Sequence, residues 1–294
     1  MISIAMTTYN GEKYLHEQID SILAQTIQNF ELVICDDCSK DSTWDILTEY
    51  SQVDKRIKIF RNEENIGFKK NFEKALYLCK GDYIALSDQD DIWMPNHLEA
   101  LKNIIGDKMM SCGNCEMIDG NSSSLNMSLK ELESLDDIPA SWKKRVMSII
   151  FFRNAYQGAS MLLRKDFMTY CLPIPEGAWF HDSWIAILSC FMGGFEYTPK
   201  MLSRYRLHDQ QVTNSYRRKR SKRREFIKNV VHQCTYDRIC LLNEIEKRIP
   251  QMNDDDKSFL NEMRHHVILD YSKLGRIKNI YFRLKNFRTI YSCK

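Results

Sequence analysis

The sequence has 294 residues, of which 44% are hydrophobic and 28% are charged, and its formal net charge is +3. This composition excludes a disordered chain, and the length allows one large domain with an appendage, or two domains. The first ten residues, MISIAMTTYN, contain neither a basic nor a long apolar stretch, and no run approaches about 18 apolar residues. We therefore expect a cytoplasmic protein without a signal peptide or a membrane-spanning helix.

The first 110 residues alternate short apolar runs with longer amphipathic stretches, which is typical of βα units around a mostly parallel sheet. Strands are predicted at ISIAM, FELVIC, IKIF and YIALS. Between the first two strands, Leu15, Ile19 and Ile22 recur on one face of a predicted helix. Ser42, with Asp45 three residues later, predicts a capping box at the start of the second helix.

The rest of the chain is less regular. The turn NIG at 65–67 leads into a third predicted helix, and Pro95 starts a fourth. Residues 120–140 are rich in Ser, Asn, Asp and Glu and predict a loop, and a helix is predicted near 141–152. A strand at GASMLL and a helix at SWIAILSCFMGG follow. The composition changes near residue 212, and helical patterns there predict a separate α-helical extension.

Polar residues follow three of the predicted strands. In an α/β sheet the ligand crevice lies beyond the carboxyl ends of the strands, where this chain has TTYN, DDCS and SDQDD. Asp88 and Asp90 lie two residues apart, so on an extended segment they can face one ligand. Carboxylates suit Mg²⁺ or Mn²⁺, whose other ligands come from phosphates and water. These acids could instead cap the next helix, but the pair Asp36 and Asp37 at another strand end favours a metal and nucleotide site.

Five segments occur in an order and at a spacing typical of one family. They are TTYNGEKYLHEQIDSILAQT, FELVICDDCSKDST, NEENIGFKKNFEKAL, KGDYIALSDQDDIWMP and FHDSW. Over residues 1 to about 210 the chain resembles the family 2 inverting glycosyltransferases, which have a GT-A-type fold. The resemblance implies a catalytic domain at 1–212, with a Rossmann-like nucleotide-binding half at 1–110 and an acceptor side at 111–212. A basic helical extension follows at 213–294.

The resemblance also implies roles for individual residues. Those that contact the nucleotide sugar would be Thr7, Tyr9, Asp37, Lys70, Asp88 and Arg206. Thr7 and Tyr9 would pack around the base, Asp37 would hydrogen-bond to the base, and Asp88 would lie at the ribose. Lys70 contacts the nucleotide or its phosphates, and Arg206 contacts phosphate. Asp90 and His208 bind the divalent cation, Mn²⁺ or Mg²⁺, that bridges the two phosphates.

Asp182, in WFHDSW, occupies the position of the family's catalytic base. In inverting transfer this base takes a proton from the acceptor hydroxyl. Asp182 is also a candidate helix N-cap, and the two roles are compatible. We interpret His181 as a hydrogen-bonding neighbour of the acid, and Asp91 as either a supporting residue of the site or a helix cap. Cys38 stands where many members have glycine, so the turn after the paired acids is expected to differ.

The resemblance implies a metal-dependent hexosyltransferase, similar to rhamnosyltransferases. Its donor would be dTDP-rhamnose or a UDP-hexose, and its acceptor a glycan or lipid-linked oligosaccharide of bacterial cell-surface polysaccharide biosynthesis. Two alternatives stay open: an inactive nucleotide- or polysaccharide-binding module, and a nucleotidyltransferase, for which TTYNGE is a poor phosphate loop. The basic run from Arg217 to Arg224 attracts anionic surfaces. We prefer peripheral contact with the inner face of the membrane over nucleic-acid binding.

Overall fold

The chain has a mixed α/β fold built on one sheet. The computed structural model describes residues 1–132, 139, 141–152, 154–209, 211, 224–249 and 251–269. Within them the strands are β1 (Ile2–Thr8), β2 (Phe30–Asp36), β3 (Ile57–Arg61), β4 (Tyr83–Ser87), β5 (Ile92–Trp93), β6 (Met110–Ile118), β7 (Ser124–Ser128), β8 (Met161–Arg164) and β9 (Glu196–Arg206). The helices are α1 (Leu15–Leu23), α2 (Thr43–Val53), α3 (Phe68–Leu78), α4 (His97–Ile105), α5 (Leu129–Leu132), α6 (Trp142–Met147), α7 (Met168–Cys171), α8 (His181–Phe191), α9 (Arg224–Arg248) and α10 (Asp254–Leu269).

The sheet is parallel in its first half, as the alternating βα pattern predicts. The strand order is β3-β2-β1-β4-β8-β6-β9-β5, and β7 pairs with β6. Strands β1 to β4 are all parallel, with Ile2 aligned to Phe30 on one side and to Tyr83 on the other. Because consecutive parallel strands need a crossover, α1, α2 and α3 connect them and cover the sheet.

The second half of the sheet is mixed and was mostly not predicted. Strand β8 is antiparallel to both of its neighbours, and β6 is parallel to β9. No strand was predicted for β5, β6, β7 or β9. The prediction of a loop over 120–140 is wrong in part, because β7 and α5 lie within it, while residues 133–138 and 140 lie outside the described residues.

One helix cap and one helix start differ from the sequence prediction. Ser42 makes no side-chain capping bond. Instead, Oδ1 of Asp41 accepts hydrogen bonds from the Thr43 amide at 3.1 Å and the Thr43 hydroxyl at 2.6 Å. The capping-box prediction is therefore wrong, although α2 begins where it was expected. The helix expected at Pro95 begins at His97, because the short strand β5 pairs with β9 just before it.

Apolar clusters lie on both faces of the sheet. Helices α1, α2 and α4 pack on one face, where Leu15, Ile19, Ile22, Leu47 and Leu101 are fully buried. Each such side chain contributes about 1.5 to 3 kcal/mol through burial of apolar surface. The other face is covered by α3, α6 and α8.

The described part of the C-terminal extension packs on this second cluster. Leu242 and Ile245 of α9, with Leu260 and Met263 of α10, are fully buried in the cluster that contains Trp184 of α8. The predicted boundary near residue 212 stays a prediction. Residues 217–223 of the basic run lie outside the described residues, so its preferred membrane contact also stays a prediction. Within the described residues, no helix is both long and apolar enough to cross a membrane.

Candidate active site

The carboxyl ends of β1, β2 and β4 lie side by side, as predicted. Thr8 at the end of β1 is aligned with Asp36 at the end of β2, and its hydroxyl donates to the Asp36 carboxylate at 3.0 Å. On the other side, Met6 is aligned with Ser87 of β4. The loops after these strands bring Tyr9, Asp37 and the SDQDD segment to one edge of the sheet. Thr7 is half-buried there, while Tyr9 is 47% exposed.

Asp37 shapes the wall of this edge. Its carboxylate is buried and accepts hydrogen bonds from the Asn62 side chain at 2.8 Å and from the amides of Ile66 and Gly67 at 2.9 Å. Gly67 has φ +84°, a conformation that glycine adopts without strain. Asp37 therefore holds the turn that starts α3, and its contact with a base stays a prediction. Lys70, in the first turn of α3, is exposed.

Cys38 adopts the backbone conformation that explains why glycine suits this position. Its φ is +61°, in the left-handed region, where a Cβ costs about 1 to 2 kcal/mol. The turn is nevertheless completed, because the Ser39 amide donates to the Asp36 carboxylate at 3.1 Å. The substitution expected from the sequence thus leaves the turn in place at the cost of local strain.

Replacing Cys38 with glycine should stabilise the protein. Because Cys38→Gly removes the Cβ from a left-handed residue but adds chain entropy to the unfolded state, we expect a net gain of about 0.5 to 1 kcal/mol in the free energy of unfolding. Urea unfolding measures it. Cys38→Ala is the control, because it removes the thiol and keeps the Cβ. A glycine variant no more stable than the alanine variant would contradict this explanation.

Asp90 and His208 meet although 118 positions separate them. Nε2 of His208 lies 2.7 Å from Oδ2 of Asp90, and both side chains are largely buried. These are the two residues for which the family resemblance implies a shared cation. Within the described residues, no group of three His, Cys, Asp or Glu side chains is arranged to hold a metal. Asp90 and His208 together offer one carboxylate and one imidazole. Such a two-residue donor set suits a cation whose other ligands are substrate phosphate oxygens.

Arg206 lies beneath this pair. Its side chain is fully buried, Nε donates to the Asp90 carbonyl at 2.7 Å, and Nη1 donates to the Ser122 hydroxyl at 2.8 Å. Nη2 forms an ion pair with Glu17, and the guanidinium lies 4.4 Å from the centre of the Tyr14 ring. In this arrangement Arg206 supports the main chain of Asp90. A phosphate contact for Arg206 stays a prediction and would require this network to open.

Asp91 is a buried supporting residue. Its Oδ2 accepts a hydrogen bond from Gln157 Nε2 at 2.8 Å, and its Oδ1 accepts one from the Arg206 amide at 3.1 Å. Burial and the nearby charges of Asp90 and Asp88 raise its pKa well above the usual range. The helix-cap alternative is wrong, because β5 separates these acids from α4. Asp91 and Arg206 thus each bind the main chain of the other's segment.

The charges of Asp88 and Asp182 influence each other. Burial raises the pKa of Asp88 to about 8, and the charges of Asp90 and Asp182 add to this effect. Asp182 lies in the first turn of α8, where its pKa is raised by burial to about 6. The Ser183 amide donates to its carboxylate at 2.5 Å and the Gly158 amide at 3.3 Å. The cluster of acids therefore favours a positively charged ligand.

His181 belongs to the core. Its ring stacks on Phe72 with centroids 3.9 Å apart, and burial lowers its pKa to about 3. Among the described residues, neither ring nitrogen has a hydrogen-bond partner, so the predicted hydrogen bond to the acid is wrong. A Cβ at residue 158 would lie 2.8 Å from Nε2, which explains the glycine there. His181 packs behind Asp182 as a neutral ring.

Several residues of the site were missed by the sequence reasoning. A cleft of about 440 Å³ opens beside the Asp90 and His208 pair; its lining residues are Lys13, Tyr14, Gly120, Leu207, His208 and Asp209. Tyr14 contacts the His208 ring at 4.9 Å between centroids. Lys69, beside the predicted Lys70, donates to the carbonyls of Glu176 and Ala178 at 3.0 and 2.9 Å, just before α8. The sequence signal that could have identified Lys13 and Lys69 is that each is a basic residue within one of the segments that carry the family resemblance.

Known proteins resemble this chain in sequence and in fold. The UDP-Glc:alpha-D-GlcNAc-diphosphoundecaprenol beta-1,3-glucosyltransferase WfgD of Escherichia coli is 41% identical over 127 residues, which cover 42% of this chain and 48% of WfgD. The chain spans less than half the length of several relatives that it matches.

Two solved structures have the same fold. A crystal structure of S. aureus TarS 1-349 in complex with UDP has a TM-score of 0.58 at 16% identity, covering 99% of this chain and 90% of that one. The mannosyltransferase PcManGT from Pyrobaculum calidifontis, in complex with GDP-Man and Mn²⁺, has a TM-score of 0.54 at 13% identity, covering 100% and 88%. The GT-A-type fold implied by the sequence is thus confirmed.

The family follows from the sequence match. The model of glycosyl transferase family 2 matches residues 3–168, which are more than half of the chain. The matched residues include the three strand ends that form the edge of the site and the acids of the SDQDD segment. The chain therefore belongs to glycosyl transferase family 2.

Proposed function

We propose that this protein is an inverting glycosyltransferase, which transfers one sugar from a nucleoside-diphosphate sugar to a hydroxyl group of a glycan or a lipid-linked acceptor. One observation carries the proposal. Nε2 of His208 and Oδ2 of Asp90 lie 2.7 Å apart, and the charges of Asp90 and Asp182 both raise the pKa of Asp88, which follows the carboxyl end of β4. Inverting transfer needs a site for the departing diphosphate and a base for the attacking hydroxyl, and these residues can supply both.

Asp182 is the proposed base. Its pKa, raised by burial to about 6, keeps the carboxylate ionised at neutral pH and close to the pH at which a base is most effective. The amides of Ser183 and Gly158 fix its orientation, and the N-terminal end of α8 favours the negative charge. Asp182 would accept the proton of the acceptor hydroxyl as that oxygen attacks the anomeric carbon.

Asp90 and His208 are the proposed protein ligands of a divalent cation, Mn²⁺ or Mg²⁺. A carboxylate oxygen and an imidazole nitrogen 2.7 Å apart form a suitable but incomplete donor set, to which a diphosphate can add its oxygens. When bound, the cation would neutralise charge on the departing diphosphate. The presence of Mn²⁺ with GDP-Man in the PcManGT structure supports this assignment.

For the donor we propose a UDP-hexose, with dTDP-rhamnose as the other candidate from the sequence. WfgD is named for UDP-Glc and for an acceptor on diphosphoundecaprenol, and the TarS structure contains UDP. These names favour a uridine nucleotide and a lipid-linked acceptor in cell-surface polysaccharide synthesis. We keep a cytoplasmic location, with contact to the inner face of the membrane, as part of the proposal.

Donor turnover tests the proposal directly. The protein is incubated with UDP-glucose, UDP-galactose, UDP-GlcNAc and dTDP-rhamnose, each with Mn²⁺ or Mg²⁺ and with diphosphoundecaprenol-linked GlcNAc as acceptor. We expect one donor to yield a nucleoside diphosphate and a longer lipid-linked glycan. A parallel incubation with UTP or dTTP and a sugar 1-phosphate that released pyrophosphate and formed a nucleotide sugar would indicate a nucleotidyltransferase. Cation-dependent nucleotide binding without turnover would indicate a binding module. If the protein neither binds nor turns over any of these nucleotide sugars, the proposal is contradicted.

The rate should fall in acid as Asp182 gains a proton. Because only the carboxylate can accept the hydroxyl proton, kcat/KM should decrease about tenfold for each pH unit below the pKa of about 6. Initial rates between pH 4.5 and 8 measure this, with circular dichroism at each pH to confirm folding. A profile that stays flat down to pH 5 would show that Asp182 is not the base.

A further inference from the structure

The loop between β1 and α1 is held firmly on one side. The Asn10 amide donates to the Ser39 hydroxyl at 2.9 Å, and the Asn10 side chain accepts from the Lys40 amide at 2.8 Å. The Gly11 amide donates to the Thr43 hydroxyl at 2.8 Å. All three partners lie in the loop and helix start that follow β2. This side of the loop is therefore fixed relative to the carboxyl end of β2.

Gln89 holds the same loop on its other side. Its Oε1 accepts a hydrogen bond from the Tyr9 amide at 2.8 Å, and its Nε2 donates to the Tyr9 carbonyl at 3.1 Å. One side chain thus satisfies both main-chain groups of Tyr9. A glutamate carboxylate lacks the donor and a methionine lacks both groups, whereas the amide supplies an acceptor and a donor at neighbouring atoms. We call this contact the Gln89 bridge.

Gly11 makes room for the Gln89 bridge. A Cβ on this glycine would lie 2.2 Å from Oε1 and 2.5 Å from Cδ of Gln89, and the three atoms nearest to it all belong to that side chain. Residue 11 does not have the positive φ that would call for glycine on backbone grounds. The glycine is therefore explained by the space that Gln89 occupies.

We infer that Gln89 is a positioning residue for nucleotide binding, which fixes Tyr9 relative to Asp88 and Asp90. This inference rests on the proposed function and on the roles that the family resemblance implies, in which Tyr9 packs on the base and the two acids lie at the ribose and the cation. Gln89 stands between those acids in the chain, so the bridge sets one spacing between the two ends of the nucleotide. Without the Gln89 bridge, the loop between β1 and α1 would become fully ordered only when the nucleotide binds, and the entropy cost of that ordering would weaken the affinity.

Replacing Gln89 with methionine removes both hydrogen bonds and keeps the length of the side chain. We expect Gln89→Met to raise the Kd for UDP or dTDP, measured by calorimetry with saturating Mn²⁺, by about tenfold, the equivalent of roughly 1.4 kcal/mol. The KM for the donor should rise in parallel, while kcat changes by less than about twofold, since the base and the cation ligands are intact. Gln52→Met, on an exposed position of α2, is the matched control.

Gly11 provides a second, independent variant. Gly11→Ala should weaken nucleotide binding at least as much as Gln89→Met, because its Cβ displaces the Gln89 amide. In a Gln89→Ala background the same change should have little further effect, since the obstructing side chain is gone. Such non-additivity is expected of two residues that act through one contact. Amide hydrogen exchange of Tyr9 should accelerate in each variant, which checks the bridge without any ligand.

The outcomes separate the inference from the proposed function. Equal nucleotide affinities in wild type and Gln89→Met would overturn the role of the bridge and leave the proposed function standing. An additive Gly11→Ala effect in the Gln89→Ala background would also overturn it, as would a loss of kcat with an unchanged KM. A wild-type protein that binds neither UDP nor dTDP would overturn the inference together with the proposed uridine or thymidine donor.

Discussion

Asp182→Asn is expected to lower kcat by about 10²- to 10⁴-fold, the usual contribution of a general base. Asparagine has nearly the same shape, and its one side-chain oxygen can keep the short hydrogen bond from the Ser183 amide while the longer one from the Gly158 amide is lost, so α8 should keep its start. It cannot accept the proton of the acceptor hydroxyl at neutral pH. The donor KM should change little, because nucleotide binding depends on other residues.

Single-turnover rates with a saturating donor measure this loss. Asp166→Asn is a suitable control, because Asp166 is half-exposed and paired with Arg164 at 2.7 Å on another part of the surface. That variant should retain the wild-type rate. If Asp182→Asn retained more than about a tenth of the wild-type rate, the assignment of the base would be wrong, and the acid-side fall of the pH profile would need another group.

Asp90→Asn is expected to lower activity by at least about 100-fold through loss of the divalent cation. A neutral amide is a poorer ligand than a carboxylate for a hard cation. The same change should not reduce the stability of the protein without ligand. The charge of Asp90 raises the pKa of the half-buried Asp88, so removing that charge relieves repulsion between them.

Two measurements separate cation loss from misfolding. Titration of Mn²⁺ in the presence of UDP, followed by electron paramagnetic resonance, should show tight binding to wild type and weak binding to Asp90→Asn. Thermal unfolding without ligand should give a midpoint at or above that of wild type. Asp107→Asn, at a side chain that is 90% exposed, is the control. Unchanged Mn²⁺ affinity in Asp90→Asn would exclude Asp90 as a ligand.

The sequence alone determined the first half of the sheet and the identity of most acids at its edge. Strands β1, β2 and β4 are read from short apolar runs, since both of their faces are buried, and helices α1 to α3 are read from one apolar face each. Strands β6 and β9 were missed because MSCGNCEMI and EYTPKMLSRYR lack regular alternation of apolar and polar residues. The formation of such strands depends on contacts with neighbouring strands of the sheet, and these contacts cannot be read from a local sequence pattern.

The tertiary structure decided what each acid contacts. The family resemblance implies that Asp90 and His208 are close to each other. Their contact is made because β9, which precedes His208, pairs with β5, which follows the acidic segment. The buried position of Arg206, the supporting role of Asp91 and the Gln89 bridge have no local signal. Each arises from pairs more than 60 residues apart in the chain. Residue type sets which chemistry is available, whereas the packing of distant segments sets burial and hydrogen-bond partners, and these assign each residue its role.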